Sequence, residues 1–200
     1  MREEKNKKLS KKFWIIAISL CCVLTIILVT GISIAQAKAP KIINKKMNGG
    51  SILLNYVGNT SGLTINGATP TSDLVAIQNE SAESYFDFSV KTTLNKASSV
   101  EYEISIKKNR KLSTISDDDI KIYLEKEVDG TYEKVFGPNK FEGIKQDTKL
   151  GTKKSNMILY KNSKTKSGTD NYRLRIWMSD GCLMPSGNYS VNVEINGKAK

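Results

Sequence analysis

The chain has 200 residues, with 31 lysines and arginines against 20 aspartates and glutamates, a formal net charge of +11, and no histidine. The absence of histidine excludes His-based catalytic triads and the usual zinc sites. The lysines are dispersed and no recognisable nucleic-acid-binding module accompanies them, so we expect no nucleic-acid partner. We also expect no cofactor and no enzymatic activity, because the chain has no phosphate-binding glycine loop and no nucleophile motif.

An uncharged apolar run extends from Phe13 to Ala35. As a helix it would span about 33 to 35 Å, which matches a hydrocarbon core of about 30 Å with modest tilt. The first 12 residues contain six basic and two acidic residues, and basic residues beside a membrane helix tend to remain cytoplasmic. The run therefore predicts a transmembrane anchor at 13–35, with a basic cytoplasmic segment at 1–12 and the rest of the chain outside the cell.

A second interpretation of the same run is a cleaved signal sequence. Ala35-Gln36-Ala37 has the small-x-small form of a signal-peptidase site, with Ala35 and Ala37 as the small residues. Signal sequences usually have an apolar core of about 7 to 15 residues, and this run is longer. We therefore expect a single-pass protein of the cell membrane, with a secreted protein as the alternative.

Beyond the run, the sequence predicts a linker at 36–50 and one extracellular domain at 51–200. Apolar and polar residues alternate with period two in several segments, which indicates half-buried β-strands. Val100, Tyr102, Ile104 and Ile106 show this pattern most clearly, against Glu101, Glu103, Ser105 and Lys107. The predicted strands are 51–57, 63–65, 85–91, 100–107, 120–124, 131–135, 156–160, 172–179 and 189–195.

Turn residues indicate how these strands are connected. Asp129-Gly130 is a favoured tight-turn pair and predicts a hairpin between the strands on either side of it. We also expect the strand at 85–91 to pair with that at 100–107, and the strand at 172–179 to pair with that at 189–195. The polar stretches 137–154 and 161–171 are predicted loops.

Short strands separated by turns, without βαβ spacing, predict an all-β fold, an antiparallel two-sheet sandwich with immunoglobulin-like or jelly-roll topology. The sequence does not separate these two topologies. The alternation predicts which side chains face the core. They are Val100, Tyr102, Ile104, Ile106, Leu174, Ile176, Val191 and Val193.

The chain combines four features: a basic start, one apolar run, a YFDFSV strand and a closing YRLRIWMSDG…YSVNVEI segment. In this architecture it resembles the small exported β-sandwich proteins of low-GC Gram-positive bacteria, of the camelysin-like and biofilm-matrix fibre-subunit type. The resemblance implies a secreted jelly-roll domain that assembles by strand exchange. It implies no catalytic residue.

The strand at 172–179 carries the candidate partner-binding patch. Successive side chains of a strand point to opposite faces. If Tyr172, Leu174, Ile176 and Met178 face the core, the three residues between them, Arg173, Arg175 and Trp177, therefore face away from it. Arginine grips carboxylates bidentately and stacks on aromatic rings, so two arginines beside a tryptophan suit an acidic or sugar partner. The structural alternative is that Arg175 lies over Trp177 and pairs with a cross-strand acid such as Glu194.

Two smaller features have both structural and functional interpretations. Asp117, Asp118 and Asp119 could ligate a cation, but they lack calcium-loop spacing and more often serve to cap a turn. Cys182 is the only cysteine outside the apolar run, and beside Leu183 and Met184 it is expected as a buried apolar residue.

Three functions remain as hypotheses. The first is a membrane-anchored extracellular binding or structural module at the cell surface, whose partner is an acidic cell-wall or matrix polymer or a protein. The second is a secreted fibre or matrix subunit released after cleavage near Ala37. The third is an anchored hydrolase.

Overall fold

The computed structural model describes residues 40–57, 61–81, 83–144 and 149–200. Residues Pro40–Lys200 form one compact unit. The predicted anchor at 13–35 and the signal-peptidase site at Ala35 and Ala37 lie outside the described residues. Among the residues that are described, no helix has the length and apolar character needed to cross a membrane.

The described residues form ten strands and one short helix. Ser72 caps the helix, and a 3₁₀ turn at Asp117–Asp119 leads into the sixth strand. The strands are β1 (Pro40–Met47), β2 (Gly50–Val57), β3 (Gly62–Ala68), β4 (Tyr85–Leu94), β5 (Val100–Lys108), β6 (Ile120–Val128), β7 (Thr131–Lys140), β8 (Asn156–Lys164), β9 (Gly168–Met178) and β10 (Gly187–Ala199), and α1 is Asp73–Gln78.

The strands build two antiparallel sheets. The six-stranded sheet has the order β1-β2-β4-β9-β6-β7, and the four-stranded sheet has the order β3-β10-β5-β8. The inner faces bury one apolar core, and all eight residues predicted to face it are at most 3% exposed. The predicted all-β sandwich is therefore confirmed at the level of two packed antiparallel sheets.

The chain passes from one sheet to the other at most connections, and this corrects two of the predicted hairpins. β4 pairs with β2 and β9, whereas β5 pairs with β10 and β8. β9 and β10 likewise lie in different sheets. Both errors have the same cause, because alternation shows which face of a strand is apolar but not which strand lies beside it. The hairpin at Asp129-Gly130 is confirmed, with φ of 51° and 82° at its two turn residues.

The segment 36–50, predicted as a linker, contains the edge strand β1, which pairs along its length with β2. Ile43, Lys45 and Met47 alternate on one face of β1, and the lysine among them hides the apolar pattern in the sequence. The predicted loops are shorter than expected, since β7 continues to Lys140 and only residues 165–167 separate β8 from β9. The helix α1 was not predicted, because six residues are too few for a helical period.

Three long connections meet at one end of the sandwich, which we call the loop end. They are residues 69–84 between β3 and β4, 109–119 between β5 and β6, and 179–186 between β9 and β10. Backbone hydrogen bonds hold them together: Thr71 N donates to Met178 O at the end of β9 (3.0 Å), and Ser179 N donates to Asp119 O (2.7 Å). The turns at 95–99, 129–130 and 165–167 lie at the opposite end.

Candidate functional site: an arginine cluster and the adjoining groove

The residues of the predicted patch lie on the outer face of the six-stranded sheet, as the alternation of β9 requires. This face is covered by the segment 72–84, described apart from residue 82, which contains α1 and which we call the strap. Under the strap Arg175 is 2% exposed, Trp177 is 6% exposed and the side chain of Arg173 is 13% exposed. The three side chains share a face, but little of them reaches solvent.

Arg175 is held by partners from both the sheet and the strap. Its Nε donates to Glu125 Oε2 on the neighbouring strand β6 at 2.9 Å, and its Nη2 donates to Glu80 Oε1 on the strap at 2.8 Å. Its Nη1 donates to the carbonyl oxygen of Asn79. Glu125 is only 7% exposed, so this is a buried ion pair whose partners are mutually required.

Arg173 makes a bidentate pair with Asp87 on β4, at 2.8 and 3.0 Å, and its Nη1 donates to Glu80 at 2.8 Å. Its guanidinium lies between two aromatic rings, 3.8 Å from the centroid of Tyr85 and 4.3 Å from that of Tyr132. We call Arg173, Arg175 and these contacting acids and tyrosines the arginine cluster.

Electrostatics in the arginine cluster favour the charged forms of its members. The hydrogen bond from Arg175, together with the charges of both arginines, lowers the pKa of Glu80 despite partial desolvation. The hydrogen bonds from Arg173 to Asp87 raise the pKa of the Arg173 guanidinium above its ordinary value. Two arginines face the three carboxylates of Glu80, Asp87 and Glu125, so both arginine charges are paired within the cluster and one negative charge is in excess.

Trp177 packs under the helix of the strap. Its Nε1 donates to Asp73 Oδ1 at 3.1 Å, and its ring meets the edge of Tyr123 at 6.3 Å between centroids. Ala76 of α1 is buried against both rings. Trp177 thus anchors the strap to the sheet.

The structural alternative predicted that Arg175 pairs with a cross-strand acid such as Glu194. The observed cross-strand acid is Glu125, because Glu194 belongs to β10 in the other sheet. The ring nearest to Arg175 is that of Tyr85, at 5.2 Å, rather than that of Trp177. The observed contacts are of the type that the structural alternative predicts, an ion pair to a cross-strand acid and a contact with an aromatic ring, but with different partners. Recognition of an acidic partner by this patch stays a prediction, and it would require displacement of Glu80, whose side chain is 65% exposed.

A groove of about 970 Å³ adjoins the arginine cluster at the loop end. One wall is the edge strand β3, and the other is formed by the start of β4, the end of β9 and the strap. The sequence did not indicate this groove, since its walls are 60 or more residues apart in places and its shape depends on the strap. No local motif could have shown it.

The groove combines an apolar floor with a polar rim. Phe86, Ile176 and Met178 contribute apolar surface, while hydroxyl and amide groups of threonine, serine and asparagine line the sides. Its described lining includes the carboxylates of Glu83 and Asp87 and no lysine or arginine. Such a lining suits a neutral or basic ligand with a partly apolar surface better than an acidic polymer.

The β3 wall also presents backbone groups. Leu63 and Ile65 lie opposite Val191 and Tyr189 of β10, and Ser61 accepts from Val193 N at 2.7 Å. In an antiparallel ladder the intervening residues point their N–H and C=O groups the other way. The backbone of Thr64 is therefore directed away from β10, at the edge of the four-stranded sheet, where an added strand would pair.

A second polar cluster lies inside the sandwich and joins the two sheets. The hydroxyl of Tyr102 donates to Asp170 at 2.9 Å and lies 2.6 Å from the hydroxyl of Tyr172, while Lys164 and Lys126 contact the same carboxylate. Burial, chiefly, raises the pKa of both tyrosines, so they stay neutral. Burial alone would raise the pKa of Asp170, but the hydrogen bonds from Lys164 and Tyr102 and the charge of Lys126 lower it overall. These contacts link the two sheets across the core.

The remaining predicted site residues have structural contacts. The carboxylate of Asp117 bonds with Lys108 and accepts from the hydroxyl of Tyr189 at 2.8 Å. Asp117, Asp118 and Asp119 form the 3₁₀ turn before β6, and no cluster of three or more metal-binding groups occurs among the described residues. Cys182 is 8% exposed and unbridged, as expected for a buried apolar residue.

Glu103, which the alternation of β5 turns away from the core, is 1% exposed. Its carboxylate accepts from Thr152 at 2.8 Å and pairs with Lys161 at 3.0 Å. The segment containing Thr152 therefore covers the outer face of the four-stranded sheet, much as the strap covers the other sheet.

Comparison of the chain with protein-family models, with curated proteins and with solved structures gave no match.

Proposed function

We propose that the chain is a membrane-anchored extracellular binding module, held at the cell surface by residues 13–35, and that the groove beside β3 receives its partner. The groove is the observation that supports this proposal most directly, because it joins a large concave surface to a sheet edge. The frequent passage of the chain between the sheets resembles a jelly roll more than an immunoglobulin fold.

The partner class that fits the groove is an extended protein segment. Such a segment can pair with the backbone of β3 by strand addition, while its alternate side chains enter the groove. The acidic rim, with Glu83 exposed, favours a neutral or basic segment over an acidic cell-wall polymer. The sequence left open two partner classes, an acidic polymer and a protein, and the groove favours the protein.

The anchor can be tested by treating intact cells with an external protease. We expect the domain to be digested without lysis, and the membrane fraction to retain a fragment containing Met1. Digestion only after lysis would contradict the proposed orientation. A mature chain in the medium that begins at Lys38 would instead support the secreted alternative.

The groove can be tested by photo-crosslinking in cells. A photoreactive amino acid at Ser81, in the groove, should give adducts with another polypeptide, whereas the same group at Lys166, at the opposite end, should not. Thr64→Pro removes the outward backbone N–H of β3 and should abolish the Ser81 adducts. Equal labelling at both positions, or adducts that survive Thr64→Pro, would contradict strand addition in the groove.

The secreted fibre subunit remains a second proposal, and one feature of β1 favours it. Among the strands of the described ranges, β1 pairs with β2 alone. Its inner face is weakly packed, since Ile43 is 46% exposed and a cavity of about 220 Å³ lies beneath it, between β1, β2 and β10. A strand held so loosely could leave its own domain and pair with another copy. Concentration-dependent fibres that disappear when β1 is tied to β2 by a disulfide would support this alternative.

A further inference from the structure

Exposed apolar residues concentrate at the loop end. Leu183 is fully exposed at 100%, and Leu112 and Met184 are 52% and 37% exposed. Leu74 and Val75 on α1 are 66% and 60% exposed at the same end. These are five of the seven exposed large apolar residues among those described, and a concentration of exposed apolar side chains is typical of contact surfaces.

The first described strand begins on this side of the domain. β1 starts at Pro40 and runs toward the opposite end. Through the pairing of β2 with β4 and of β4 with β9, Pro40 lies level with Arg173. β9 continues five residues further to Met178, which is about 17 Å at a rise of about 3.3 Å per residue.

The connection between the apolar run and the domain is short. Ala35 ends the run and Pro40 begins β1, so five residue steps separate them. Fully extended, they span at most about 18 Å. The loop end projects about 17 Å past Pro40. The connection, even when fully extended, separates Pro40 from the end of the apolar run by about the same distance, at most about 18 Å. The loop end is therefore long enough to reach the membrane surface.

We propose that the loop end is a membrane-contact surface, and that Leu112, Leu183 and Met184 enter the interfacial region of the phospholipid bilayer in which the chain is anchored. This inference rests on the proposed anchoring through residues 13–35. The contact fixes the orientation of the sandwich, with the strands rising from the membrane and the turns at 95–99 and 165–167 pointing outward.

The charge of the surface identifies apolar insertion as the binding force. In the loops that carry Leu112 and Leu183, the exposed charged residues are Arg110 and Lys111 against Asp118 and Asp180. These charges balance, and the strap at the same end adds the exposed carboxylates of Glu80 and Glu83, so attraction to anionic lipid contributes little. Arg110 and Lys111 flank Leu112, and their long stems allow the charged groups to remain in water while the leucine is buried. Contact should therefore form on neutral lipid and persist in high salt.

The test uses the full chain reconstituted in phosphatidylcholine vesicles. Trp14 is replaced by phenylalanine, and a reporter is introduced by Leu183→Trp at the loop end or, as the matched control, by Lys166→Trp at the opposite end. Trp177 remains in both proteins as a common, buried background. Emission is then measured with lipid brominated near the glycerol end of its acyl chains, at low and high salt.

We expect the emission of the Leu183→Trp protein to shift to shorter wavelength and to be quenched by brominated lipid at both salt concentrations, with neither effect in the control. Equal emission in the two proteins would overturn the proposal, as would quenching that disappears in high salt. An alkaline carbonate wash separates the two levels of the argument. If the protein stays with the vesicles but its emission is not quenched, the proposed membrane contact is wrong and the anchor is not affected. If the wash releases the protein, both the anchor and the contact are contradicted.

Discussion

The buried pair between Arg175 and Glu125 gives the most specific prediction about stability. Arg175→Met keeps most of the length of the side chain but removes the charge and all donors. Glu80 can rehydrate because it is largely exposed, whereas Glu125, at 7% exposed, keeps its charge in a buried site without a partner. Breaking a buried pair in this way costs about 3 to 5 kcal/mol, a large part of a total of about 5 to 15 kcal/mol.

Arg173→Met is the matched control on the same strand. Its partners Asp87 and Glu80 have side chains that are 45% and 65% exposed, so we expect a loss of about 1 kcal/mol. The double variant Arg175→Met with Glu125→Leu removes both buried charges and should recover most of the stability lost in Arg175→Met.

Pulse proteolysis of the full chain in urea measures these differences. With a slope of about 2 kcal/mol per molar urea, Arg175→Met should lower the unfolding midpoint by about 1.5 to 2.5 M. Two results would contradict a buried Arg175–Glu125 pair: Arg175→Met is no more destabilising than Arg173→Met, or the double variant is less stable than Arg175→Met alone. Either result would mean that Arg175 and Glu125 are not a buried pair in which each charge requires the other.

Three further predictions concern the core, a turn and acid stability. Ile104→Asp should unfold the domain, because Ile104 is 0% exposed and an unpaired buried carboxylate costs several kcal/mol; a melting temperature close to that of the parent would contradict its core position. Gly130→Ala should cost about 1 to 2 kcal/mol in urea unfolding, because φ is 82° there and a side chain disfavours that conformation, whereas Gly168→Ala, where φ lies outside the left-handed region and a Cβ meets nothing within 4 Å, should cost less. Folding lowers the pKa values of Glu80 and Asp170, so their contribution to stability is present above their unfolded pKa values and is lost as pH falls through the folded ones. Thermal melts should therefore show a melting temperature that declines below about pH 4, with a smaller decline in Glu80→Gln. A melting temperature that stays constant to lower pH would contradict the pairing.

The sequence by itself determined the class of the fold, most of the strands and the side chains that fill the core. These properties are local, because alternation with period two places Ile104 and Leu174 on apolar faces whatever the neighbouring strands are. The Asp129-Gly130 turn could be predicted for the same reason, since two residues carry the conformational preference that closes the hairpin.

The tertiary structure decided which strands are neighbours. The apolar faces of β4 and β5 are interchangeable in pattern, and nothing in either strand specifies that they lie in different sheets. β1 became recognisable as a strand only through its pairing with β2, because a lysine occupies the middle of its inner face.

The tertiary structure also decided the character of the candidate site. The alternation of β9 correctly turned Arg173, Arg175 and Trp177 away from the core, but facing outward did not make them exposed. The strap folds back over the sheet, and Glu80, 95 positions from Arg175 in the sequence, supplies a second acid to Arg175 beside Glu125. Ion pairs and grooves between distant segments depend on the path of the whole chain, so the pattern of one strand cannot show them.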